Sequence, residues 1–67
     1  MDPQQTWRDL AEAFAADEWD NANELASSLA DWIDRGGFPP KISGHRDFDK
    51  LVVKNACDAI LAWDIPS

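Results

Sequence analysis

This chain of 67 residues is poor in the residues that brace small folds. It has a single cysteine, Cys57, so no internal disulfide can form. It has a single histidine, His45, and one Cys with one His cannot close a structural zinc site. Tyrosine is absent and glycine occurs three times. No apolar run approaches the roughly 18 residues of a membrane span, so no membrane partner is expected. The first five residues, Met1 to Gln5, lack the basic-then-apolar layout of a signal peptide. With a free thiol, that predicts a cytoplasmic protein.

Bases are also scarce. The net charge is −7, from six Lys and Arg against thirteen Asp and Glu. Nine of the acids fall before residue 35, opposed there by Arg8 alone, whereas five of the bases fall within 35–54. An acidic half of this kind cannot neutralise phosphates, which argues against direct nucleic-acid binding. It suits solubility and association.

What remains is apolar and aromatic: 45% hydrophobic residues, with four Trp and three Phe. That is too much for a disordered acidic tail. A chain this short buries only about 60% of its unfolded surface. Without disulfide or metal, regular helix packing or self-association must stabilise it.

The apolar spacing is helical throughout. Asp2 can cap a first helix, with Pro3 in its first turn and Gln5 placed as in a capping box. Trp7, Leu10, Ala11, Phe14 and Ala15 then follow on one face, with Ala13 off it. Asp17-Glu18-Trp19 breaks the pattern, and Asp20 is the expected cap of a second helix. Its face is Ala22, Leu25, Ala26, Leu29, Trp32 and Ile33. Gly36 can close that helix in the left-handed conformation, and Pro39-Pro40 prevents its continuation. A third helix starts near Asp47, or earlier if Ser43 caps it. Its main stripe is Phe48, Leu51, Val52, Ala56, Ala59, Ile60 and Trp63, with a second line of Val53, Cys57 and Leu61 beside it. The prediction is one all-α domain, residues 1–67: a three-helix bundle made of a helical hairpin and a mostly apolar third helix. The helices are placed near 3–16, 20–35 and 47–63.

A helix apolar most of the way round is either central or covered by a partner. The second line, Val53, Cys57 and Leu61, is therefore expected to contact another protein, most simply a second copy in a homodimer. The alternative is that the Pro-rich loop folds over it. Asp17, Glu18 and Trp19 in the turn are a further candidate contact, since Trp is enriched at binding hot spots, although packing at the hairpin end is the stronger reading of Trp19.

Trp19-Asp20-Asn21-Ala22 opens the second helix after a short turn, Ala11 is the small residue of the first helix, and Leu25, Ala26 and Leu29 continue the packing face. In this, residues 6–35 resemble the helical hairpin of a tetratricopeptide-type repeat. The turn has Ala16 where that family often has glycine, Ala11 and Ala22 are one residue closer than its pattern, and there is one unit where arrays need about three. The resemblance implies an antiparallel hairpin and peptide or protein binding.

Chemistry has few candidates. Ser43, His45 and Asp47 alternate at a loop–helix junction, but residues two apart rarely converge as nucleophile, base and orienting acid. Capping is the simpler reading. Lys41, His45, Arg46 and Lys50 gather where helix N–H groups attract anions, but they equally balance the domain's own acids. Cys57 reads as a packed small hydrophobe. No enzyme activity, cofactor or metal is expected. The functional expectation is a small acidic interaction module or subunit, self-associating through its third helix. The alternative is an acidic inhibitor that imitates a nucleic-acid backbone, which requires its carboxylates on one continuous wall.

Overall fold

A computed structural model of the chain describes residues 1–63; Asp64, one of the acids counted above, lies outside them. Three helices follow one another: α1 (Pro3–Ala15), α2 (Trp19–Asp34) and α3 (Arg46–Leu61). No strand occurs among the described residues. The expected all-α, three-helix bundle is what the chain forms.

Helix ends follow from local chemistry. The amides of Gln4 and Gln5 donate to the Asp2 carboxylate at 3.0 and 3.2 Å, so Asp2 caps α1. Gln5 does not return the bond; its amide donates to Asp9 instead. At the far end of α1, Glu18 N–H donates to Ala13 O and Asp17 N–H to Phe14 O. Asp17 takes the left-handed conformation between them, φ 59°. This is the paired bonding of a Schellman closure, with Asp where glycine is usual. The three-residue connection forces α2 back antiparallel to α1. Asp20 does not cap α2. The cap is Glu18, without a side-chain bond, and Asp20 lies in the first turn, where its charge still suits the helix dipole.

The end of α2 repeats the closure. Gly36, at φ 88°, donates to Ile33 O, and Gly37 donates to Trp32 O. A Cβ on Gly37 would lie 2.4 Å from the Trp32 ring, so glycine lets the indole fold over the turn. The Trp32 indole N–H then donates to Phe38 O at 2.9 Å. Phe38 meets Trp32 edge to face but stays largely exposed. Pro39 and Pro40 are buried, and Lys41 N–H donates to the Gln4 side chain at 2.8 Å. The Pro-rich loop thus seals the N-terminal end of α1.

Neither Ser43 nor Asp47 caps α3. His45 holds the cap position without a side-chain bond. The loop is held by Asp49, which reaches back from inside the helix. Its carboxylate accepts from Ile42 N–H, Ser43 N–H and the Ser43 hydroxyl, the last at 2.6 Å. These bonds satisfy a carboxylate that is only 2% exposed.

The core is built around α2. Ala22, Ala26, Leu29, Ala30 and Ile33 are buried on it, Leu10 and Ala13 on α1, and Val53 and Cys57 on α3. Three of the five buried α2 residues are alanines, which lets both neighbours approach closely. Trp19 at the start of α2 meets Trp63 just past α3, and Asp34 at the end of α2 pairs with Lys54, so α3 also runs antiparallel to α2. α1 and α3 are therefore parallel to each other. They flank α2 without close backbone approach to each other: no Cα of one lies within 8 Å of a Cα of the other.

Candidate partner-binding groove

The face that each flanking helix turns to α2 differs from expectation. On α1 it is Leu10 and Ala13, and Ala11 and Ala15 are exposed. On α3 it is Val53 and Cys57, both 0% exposed, and not the broader stripe of Phe48, Leu51, Ala59 and Trp63. Val53 and Cys57 were expected at an external contact; both are covered by α2 and are unavailable to a partner. The physical reason is width. Each stripe spans more arc than one neighbour can cover. Its edge meets α2, and its centre points into the space between α1 and α3.

That space is a groove of about 390 Å³. α1 contributes Trp7, Leu10, Ala11, Phe14 and Ala15, and α3 contributes Ala56, Ala59, Ile60 and Trp63. Every lining residue is apolar. The alanines leave the groove open, and the large rings stand along its length and at one end. There Phe14 meets Trp63 edge to face with centroids 5.9 Å apart, and Trp19 stacks on Trp63 at 6.2 Å and 15°. At the other end the Lys41–Gln4 bond ties the loop to α1. The apolar stripe of α3 continues beyond the groove through Phe48, 56% exposed, and Leu51, 59% exposed.

The remaining expected contact residues fall outside the lining. Leu61 is 39% exposed. Trp19 packs as the hairpin plug, meeting Phe14 edge to face at 5.0 Å. Asp17 and Glu18 are exposed beside it. Glu18 also lines a separate polar depression with Asp9, Glu12 and Asn21.

Charge is distributed unevenly around this site. Lys54 takes up Asp34 at 2.9 Å and Asp58 at 3.6 Å, and Arg35 takes up Asp31 at 2.7 Å. The Asp34 bond raises the Lys54 ammonium above its ordinary range. Among the described residues, Asp17, Glu18 and Asp20, the chain neighbours of Trp19, pair with no cation.

The other candidates are accounted for individually. Ser43 is engaged with Asp49, and its oxygen accepts from His45 N–H at 3.1 Å. The side chains of His45 and Asp47 are exposed. Burial pushes the Cys57 thiol up to about 11. Among the described residues, no three His, Cys, Asp or Glu side chains gather as metal ligands, and no helix is long and apolar enough to cross a membrane. Asp49 was missed by sequence reasoning. The signal was its register: it precedes Val53 and Cys57 on one helical line, and an acid on a core line implies dedicated donors.

Comparison with known proteins gives no match to any protein-family model, curated protein or solved structure.

Proposed function

We propose that the chain is a small, non-catalytic protein–protein interaction module that works in the cytoplasm and receives its partner in the α1–α3 groove. One observation carries this: two parallel helices present wide apolar stripes to a gap with no polar lining. A concave, wholly apolar groove of this kind, open at the surface, is a shape into which a partner's apolar side chains can pack. The resemblance of residues 6–35 to a repeat-type hairpin fits peptide or protein binding, by analogy of fold.

Self-association is the second reading. It is favoured by the exposure of Phe48 and Leu51, and it uses this face of α3 in place of Val53 and Cys57. The acidic-inhibitor alternative is weaker, because Arg35 and Lys54 neutralise part of the carboxylate wall.

Photo-crosslinking in the source cell tests the proposal. A photoreactive residue at position 59, in the groove, should give one discrete protein adduct, and at position 28, on the exposed side of α2, none. Equal labelling from both positions, or none from position 59, contradicts it.

A further inference from the structure

We propose that the groove takes an amphipathic helix of another protein, cationic along its polar flanks, with its N-terminus at the Asp17–Asp20 end. This rests on the groove being a docking face and names what docks there. The shape argues for a helix. α2 packs on both α1 and α3, while α1 and α3 leave a gap at the corner opposite α2. In a bundle of antiparallel neighbours, a fourth helix fills such a corner. The small side chains of Ala11, Ala15, Ala56 and Ala59 in the lining let a helix backbone approach.

Charge and dipole choose the occupant and its direction. The groove wall carries no charge, so electrostatic selection falls to its ends. At the aromatic end, Asp17, Glu18 and Asp20 flank Trp19 in the chain and, among the described residues, form no ion pair. The C-termini of α1 and α3 lie at this end against the single N-terminus of α2, so the helix dipoles sum to net negative character there. A helix N-terminus bearing Lys or Arg complements both, and its cations can lie over the exposed face of Trp63. A second copy fits worse. It brings a net charge of −7 against −7, and Lys54, in the middle of its only base-rich helix, is already paired with Asp34 and Asp58.

The test uses two synthetic helical peptides of about 18 residues, long enough to run the groove. They share one Leu/Ala face; one carries Lys and Arg on its flanks, the other Glu. Each is titrated into the intact chain while the methyls of Ala11, Ala15 and Ala59 and the Trp63 indole N–H are followed by NMR. The cationic peptide should shift these signals, and bind at least about tenfold more tightly than the acidic one at low salt. That advantage should shrink between about 50 and about 300 mM salt. Combining Asp17→Asn, Glu18→Gln and Asp20→Asn should cut the preference while the same methyls still respond at saturation. A nitroxide on the peptide N-terminus should broaden Trp63 and Ala15, and one on its C-terminus should broaden Trp7. Equal binding of both peptides overturns the choice of occupant and leaves the docking face standing. Silence of the groove methyls with both peptides overturns the docking face itself. Reversed broadening overturns the direction. A dimer in sedimentation equilibrium that shifts the same methyls makes a second copy the occupant and overturns the proposal.

Discussion

The indole of Trp63 stacks on that of Trp19 with centroids 6.2 Å apart and planes within 15°. One ring lies just beyond α3 and the other opens α2, and Phe14 of α1 meets both edge to face. Three helices are thereby joined at one point, which is also the end wall of the groove. Because Trp63 is 51% exposed, its removal should cost little stability: Trp63→Ala is expected to lose about 1 kcal/mol in urea unfolding, the scale of an aromatic pair. The same change should weaken binding at the groove more than it weakens the fold. A stability loss as large as that of a core truncation would show that the cluster is core.

The two apolar lines of α3 should separate cleanly in unfolding experiments. Val53 is fully buried against α2, so Val53→Ala should cost roughly 2–3 kcal/mol. Leu51 is 59% exposed, and Leu51→Ala should stay within about 0.5 kcal/mol. Equal effects would mean that α3 is rotated from the orientation described.

That contrast shows what was legible in the sequence. Helix number, the Asp2 cap and the Gly36 closure follow from local chemistry, and local chemistry is written in the chain. The rotation of α1 and α3 about their axes is not. Reading the centre of a stripe as the core assumes neighbours on all sides, and each flanking helix has only α2. Periodicity therefore turns the broad stripe of Phe48, Ala59 and Trp63 inward, and Val53 and Cys57 outward. The groove exists because that assumption fails. The Asp49 latch was hidden for a related reason. Its donors come from Ile42 and Ser43, in a loop whose path no periodicity describes.

Asp49 should make stability depend on pH. The Ser43 hydroxyl, and then the loop amides, hold its carboxyl below the ordinary value of 3.8. A depressed folded-state pKa contributes stability that is present above the unfolded value and lost as pH falls through the folded one. The urea midpoint should thus fall as pH drops below about 4, and Asp49→Asn should lower the midpoint at pH 7 and flatten the acid loss. A variant with the wild-type acid dependence would show that the latch does not stabilise the fold.

Cys57 should resist thiol reagents. Burial, followed by the nearby Asp58 charge, raises its pKa from 9.0 to about 11. The thiolate fraction near pH 8 is then about a hundredfold below that of a free cysteine, and the sulfur has no exposed surface. Modification by an aromatic disulfide should be limited by opening of the fold. The raised value also predicts that stability present below pH 9 declines as pH rises toward 11, because the unfolded chain ionises first. Labelling at the rate of a free thiol in the native state would contradict the burial.

Filling the α1–α3 groove decides whether this chain meets its partner there. Ala59 lines the groove and is exposed, so Ala59→Trp should leave the helical circular dichroism unchanged while obstructing the groove. In calorimetric titration with the cationic amphipathic peptide, the wild-type chain should bind with a negative heat-capacity change, the mark of apolar burial. The variant should lose at least about tenfold in affinity. Equal affinity and heat capacity for the two proteins would place the contact elsewhere and contradict the account.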